Sequence, residues 1–333
     1  MRNPDWRGGF PVPGYELRVT SYELQIFAMT TPPSLLILGT GALAGLFAAR
    51  LAAAGVDVTM LGTWPDGLAA LRRDGVRLVE ADGRQNAWPV RVAAEPAECR
   101  GIPFALVLVK AWQTERAGQQ LATCLPADGL ALTLQNGWGN REALELALGP
   151  QRVSLGITTL GATLLAPGVV RVGGQGPVTL GQHPRLQPLA DLLRAAGFEV
   201  RMADDVAGLA WGKLVISAAI NPLTALLRVP NGELLERPEA RELMSLAAAE
   251  AAAVGLAQGL RLPFDDPVAA AEEVARRTAA NHSSMYQDVQ AGRPTEIDAI
   301  SGAVVQAGQR MGVPAPVNQT LWMLVRAAGE GER

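Results

Sequence analysis

Lys213, Ser217 and Asn221 follow one another at intervals of four, so a helix through them carries an ammonium, a hydroxyl and an amide on one face. Their neighbours Leu214, Val215, Ile216, Ala218, Ala219 and Ile220 are apolar, which predicts a mostly buried helix rather than a solvated stripe. A buried lysine needs a partner or a task. Only two histidines are present, His183 and His282, so proton transfer falls to lysine or a carboxylate and a histidine-rich metal site is not expected. Three more polar islands follow: Pro230 to Leu234 with Asn231, Asn281 to Met285 with Ser284, and Arg293 to Asp298 with Glu296.

These groups need a scaffold, and its first element is explicit. The apolar run Leu35 to Leu38 leads into Gly39, Thr40, Gly41, Ala42, Leu43 and Ala44, then into an alanine-rich helical stretch and a second strand at Asp57 to Leu61. Glycines here let the backbone turn sharply and approach a pyrophosphate, whose charge meets the free N–H groups of the helix start. Ala44 is an allowed third fingerprint residue, followed by Gly45. The strand, turn, helix and strand context supports dinucleotide binding over an ordinary strand-to-helix turn.

The expected fold class is α/β, with an N-terminal Rossmann-type domain over residues 34–204 and an all-α domain over 205–328. Val76 to Glu80 and Trp88 to Val92 read as strands around a turn at Asp82 and Gly83. Phe104 to Val109 ends in Lys110, with Gln113 close behind, and Leu130 to Leu134 ends in Gln135, Asn136 and Gly137. Ligands of open sheets bind outside the carboxyl ends of strands, which brings Lys110, Gln113 and Asn136 to one edge. Singly, such residues also serve as turn formers. Segments between Val153 and Leu180 read as strands completing the first domain; from Pro238 onward the pattern is helical, with stops at Pro263, Pro267 and Pro314. Met1 to Tyr22 shows no periodic apolar face and no leader pattern, so residues 1–33 read as a disordered extension.

At 333 residues the chain exceeds what one core usually serves, and 49% apolar content is ample for two. A formal charge of −3 with scattered Lys and Arg offers no stripe for nucleic acid and no polybasic membrane patch, and the apolar runs are interrupted, so no membrane span is implied. The expected partner is a small molecule. Cys99 and Cys124 are too few for a disulfide framework or a zinc cluster and read as reduced thiols in a cytoplasmic protein. The apolar C-terminal helices would serve a core or a homodimer interface equally well.

Taken jointly, the glycine turn, Lys110 with Ala111, Trp112 and Gln113, the Asn136 and Gly137 pair, the Lys213 to Asn221 helix, Pro230 to Leu234 and the Asn281 to Asp298 region resemble the ketopantoate reductase (2-dehydropantoate 2-reductase) family over residues 34 to 327. The resemblance implies NADPH-dependent reduction of 2-dehydropantoate to pantoate in pantothenate synthesis, in a cleft between the two domains. It implies Lys213 as general acid, Asn136 between nicotinamide and substrate, and Ala162 as a backbone contact to the cofactor. Ser217, Asn221, Asn231, Asn281 and Ser284 become substrate-side groups, and Glu296 the carboxylate near the substrate hydroxyl and the cofactor ribose. Hydride delivered to a 2-oxo carbon leaves negative charge on oxygen, which an ammonium both stabilises and protonates. Asn281 and Ser284 would hold the substrate carboxylate, although Ser284 fits a helix cap as well.

Two positions depart from the family pattern. Gly62, Thr63 and Trp64 stand where an arginine usually meets the 2′-phosphate of NADP, and Arg72 or Arg73 on the following helix is expected to replace it. Ser217 stands where asparagine is common, which leaves open a paralogue acting on another branched 2-oxo acid. A cofactor-sensing protein without catalysis is a third reading, against which the presence of both Lys213 and Glu296 argues.

Overall fold

The computed structural model describes residues 32–330; the expected disordered extension falls, up to residue 31, outside the described residues. Twelve strands are present among them: β1 Ser34–Leu38, β2 Asp57–Leu61, β3 Val76–Val79, β4 Gln85–Trp88, β5 Arg91–Ala93, β6 Phe104–Val107, β7 Leu130–Thr133, β8 Val153–Thr158, β9 Ala162–Ala166, β10 Val169–Val172, β11 Val178–Gly181 and β12 Val200–Ala203. The helices are α1 Ala42–Ala53, α2 Pro65–Asp74, α3 Thr114–Cys124, α4 Asn140–Leu148, α5 Gln187–Ala195, α6 Val206–Leu227, α7 Glu233–Glu236, α8 Pro238–Ala257, α9 Pro267–Arg277, α10 Ser284–Gln290, α11 Ser301–Met311 and α12 Pro316–Glu330. The α/β part and the helical part belong to one compact unit from Ser34 onward.

Eight strands form one sheet in the order β12-β11-β8-β7-β6-β1-β2-β5, parallel except where β11 meets β8. Its inner strands are buried on both faces, which is why β1 reads as an unbroken apolar run. Leu35 and Ile37 face α1, while Leu36 and Leu38 face α3 and α4 with Leu121 and Leu144. β4, β3, β10 and β9 make a second sheet, packed on the outer side of α1. α1 is therefore enclosed on both sides, and its residues from Ala44 to Ala49 are all buried.

The second sheet corrects the expected strand at Trp88 to Val92. Pro89 interrupts it, since a proline cannot donate to a ladder: Trp88 ends β4 beside β3, while Arg91 begins β5 at the edge of the main sheet. Pro267 is likewise no stop. It opens α9, where its missing N–H costs nothing, behind the Asp266 cap that accepts from the N–H groups of Val268 and Ala269. Cys99 and Cys124 are buried in the α3 side of the core, and burial pushes the Cys99 thiol up to about 11, so both are packing groups rather than nucleophiles.

The helical part surrounds α6. By length and composition α6 could cross a membrane, yet 61% of its most apolar window is buried against its neighbours, so its apolarity serves a core. Trp211 is fully buried there and donates from Nε1 to the Ala251 carbonyl at 2.8 Å. Pro222 sits inside α6 and the helix runs on to Leu227.

Candidate active site

Successive strands leave β1 in opposite directions, to β2 on one side and to β6 on the other, and such a reversal opens a crevice at the strands' carboxyl ends. A cleft of about 810 Å³ lies there, reaching from the glycine turn to α6 and α10. Gly39 is required twice over: its φ is +121°, and a Cβ would fall 3.0 Å from the Leu108 carbonyl. Gly41 has open space where a Cβ would be, and no side chain caps α1, so the first N–H groups of the helix are free beside the turn. That arrangement fits a phosphate group. Thr40, Gly41, Ala42 and Leu43 line the cleft, whereas Ala44 is fully buried beneath it. Gly45, rather than Ala44, permits the tight helix contact, because a Cβ there would stand 2.5 Å from Val170 Cγ2.

Lys110 follows β6 and reaches across to the helical part. Its Nζ lies 2.6 Å from Asp288 Oδ2 and 3.6 Å from Glu296 Oε2. Burial pushes its pKa down, but the Glu296 and Asp288 carboxylates outweigh that and leave it above the usual lysine value. Glu296 is buried, lines the cleft, and accepts from the Ala111 N–H at 3.0 Å through Oε1. Asp288, buried one turn after Ser284, also receives Arg293 at 3.2 Å. Gln113 and Ala162 line the cleft with Gly161, Gly173 and Gly174, which come from the β9–β10 side.

Asn136 is held from both directions. Gln135 donates to the Val109 carbonyl at 2.9 Å and to Thr114 Oγ1 at 2.8 Å, while Asn140 Nδ2 donates to the Asn136 carbonyl at 2.9 Å. Gly137, at φ +88°, lies so close to Ala299 that a Cβ would fall 2.7 Å from its Cβ, and the Trp138 N–H donates to the Ala299 carbonyl at 2.8 Å. Trp138 then stands edge-on against Trp211 with centroids 4.9 Å apart. This packing brings α6 to Asn136: Lys213 Nζ donates to Asn136 Oδ1 at 2.7 Å and to the Thr158 carbonyl at 2.7 Å. Burial lowers the Lys213 pKa to about 8, with the Glu296 charge opposing.

The face expected to carry three polar groups into one cleft does not stay aligned. Four residues of α-helix overshoot a full turn by about 40°, so the row swings away from Lys213. Ser217 lines a smaller adjoining pocket with Trp138, Leu155 and Lys213, and Asn221 lines neither space. Asn231 is buried away from the cleft, where it donates from Nδ2 to Thr278 Oγ1 at 2.8 Å and from its N–H to the Asn281 carbonyl at 2.9 Å. It braces the segment that presents Asn281 and Ser284, both of which line the cleft. The cap of α10 is Ser283, whose Oγ accepts from the Tyr286 N–H at 3.0 Å and from Thr224 Oγ1 at 2.7 Å, so Ser284 is free of that role.

Arg72 and Arg73 do not reach the cleft. α2 runs back from the carboxyl edge of the sheet, which carries its last turn away, and Arg73 is engaged with Asp74. Arg116, in the first turn of α3, lines the cleft instead, as do Trp64, Gln120 and Thr158. A sequence signal for Arg116 existed, since a helix following a parallel strand starts at the carboxyl edge; Asp288 had only its four-residue spacing from Ser284.

Residues 35–185 match the model of the family described as ketopantoate reductase PanE/ApbA, and residues 205–329 match its C-terminal model. A 2-dehydropantoate 2-reductase of Halobacterium salinarum is 35% identical over 298 residues, covering 88% of this chain and 97% of the relative. Among solved structures, a PanE/ApbA family ketopantoate reductase from Ralstonia eutropha superposes with a TM-score of 0.84 at 30% identity, covering 90% of this chain and 99% of that one. A D-mandelate dehydrogenase, solved with NADH and anilino(oxo)acetate, gives 0.83 at 25% identity, covering 90% and 98%. With both halves matched and the relatives covered almost end to end, the chain belongs to the ketopantoate reductase family of oxidoreductases, an α/β N-terminal domain with a largely parallel sheet joined to a helical C-terminal domain.

Proposed function

We propose that this protein reduces 2-dehydropantoate to pantoate with NADPH, as a step of pantothenate synthesis. The observation that carries the reading is the position of Lys213: an ammonium at the inner end of the cleft, 2.7 Å from Asn136 Oδ1, with a pKa lowered to about 8. A nicotinamide dinucleotide fits the uncapped start of α1 and the open space at Gly41, and when bound it supplies the hydride. Residues 34–204 would hold it, and residues 205–328 would bring the acid and the substrate-side groups.

Lys213 stabilises the charge that builds on the 2-oxo oxygen and donates the proton that completes the alcohol. Asn136 Oδ1 and the Thr158 carbonyl orient that ammonium by accepting two of its hydrogens, which leaves the third for substrate. Asn281 and Ser284 offer amide and hydroxyl donors to the substrate carboxylate, and Glu296 accepts from its hydroxyl. Lys110 and the Ala111 N–H hold Glu296 in place.

Two observations favour a second reading. Ser217 replaces the asparagine common in the family, and a similar structure belongs to a D-mandelate dehydrogenase, so another 2-oxo acid is the alternative substrate. NADPH oxidation measured with 2-dehydropantoate, benzoylformate and a small set of branched 2-oxo acids separates the two. The highest kcat/KM is expected for 2-dehydropantoate; a preference of tenfold or more for another acid overturns the assignment.

A further inference from the structure

We infer that Arg116 recognises the ribose 2′-phosphate of NADPH, from the first turn of α3 rather than from the end of β2. The inference rests on the NADPH reading above. In a doubly wound sheet the residues just past the second strand meet the ribose 2′ position, once the pyrophosphate lies at the start of the first helix. Here those residues are Gly62 and Thr63, both lining the cleft. Gly62 is pressed against the glycine turn, since a Cβ would fall 2.6 Å from Thr40 Cγ2, which keeps Thr63 next to the phosphate-binding segment.

Arg116 Nη2 donates to Thr63 Oγ1 at 3.1 Å, so the guanidinium stands at that ribose position although α3 is 53 residues away in sequence. Among the described residues Arg116 has no carboxylate partner; Lys110, another cation lining the cleft, is already engaged by Asp288. Neither Asp66 nor Glu115, the nearest acids in sequence, lines the cleft. An unpaired guanidinium with two parallel N–H donors matches a phosphate and gains nothing comparable from a bare hydroxyl. Gln120, one turn further along α3 and also lining the cleft, adds an amide donor on the same side.

The test is calorimetric titration of the parent protein and Arg116→Gln with adenosine 2′,5′-bisphosphate and with adenosine 5′-monophosphate, which lacks the 2′-phosphate. The parent is expected to bind the bisphosphate at least about tenfold more tightly, and Arg116→Gln to weaken it about 10- to 100-fold, the worth of hydrogen bonds to a charged group. The monophosphate should change by less than about twofold, which also reports that the variant is folded. If the parent prefers the bisphosphate and Arg116→Gln keeps that preference, the role of Arg116 is overturned while the NADPH reading stands. Equal binding of both probes by the parent overturns the two together, and an equal loss of both probes in the variant overturns the role of Arg116.

Discussion

Lys213 is anchored by two neutral oxygens, so no opposite charge within hydrogen-bond reach offsets the hydration its own charge has lost. The depressed pKa, about 8, has a definite sign under the proposed function, in which reduction needs the ammonium: kcat/KM for the 2-oxo acid should be level below about pH 7 and fall about tenfold per unit above pH 8. Lys213→Ala should lower kcat by about 10² to 10⁴ and abolish that falling limb. Glu296 pulls the Lys213 pKa upward, and Glu296→Gln should therefore move the limb to lower pH as well as weaken substrate binding. A limb that stays in place would show that another group titrates. Lys213 could be picked out of the sequence because an ammonium among six apolar neighbours is conspicuous. Asp288 could not: its task depends on Lys110, 178 residues earlier, and no local pattern records such a meeting.

Among the elements, α1 is the most constrained, enclosed between two sheets. Gly45→Ala should cost about 1 to 3 kcal/mol, because the added methyl meets Val170, a stiff β-branched side chain that is itself buried. Thermal melting of Gly45→Ala against the double variant with Val170→Ala checks this, with partial recovery expected in the pair. The main sheet was legible from its apolar runs, because strands buried on both faces leave no polar alternation to confuse them. The smaller sheet was less so: β4 and β5 are separated only by Pro89 and Val90, and the same short stretch serves two sheets. The α6 face illustrates a related limit. Spacing of four places residues near one another, but the drift of the helix decides that Lys213 enters the cleft and Ser217 the space beside it.

For the whole molecule, the α/β part and the helical part meet through few polar ties, chiefly Lys110 to Asp288, Ala111 to Glu296, Trp138 to Ala299 and Lys213 to Asn136 and Thr158. Asp288→Asn removes the charge that holds Lys110 and Arg293 together, and should cost about 1 to 3 kcal/mol, discounted because Lys110 is partly exposed. Chemical denaturation at low and high salt measures it. The tie from Lys213 carries a different consequence. The helical part donates the ammonium, but the α/β part supplies both oxygens that hold it and much of the wall that dries it. Any motion that parted the two would let water return, and the group would regain its proton affinity toward the ordinary value of 10.5. Between pH 8 and 10.5 closure of the cleft must then expel a proton, and its equilibrium becomes a function of hydrogen-ion concentration. Binding heats of the cofactor taken at pH 9 in buffers of different ionisation enthalpy would report the net proton released where its binding closes the cleft.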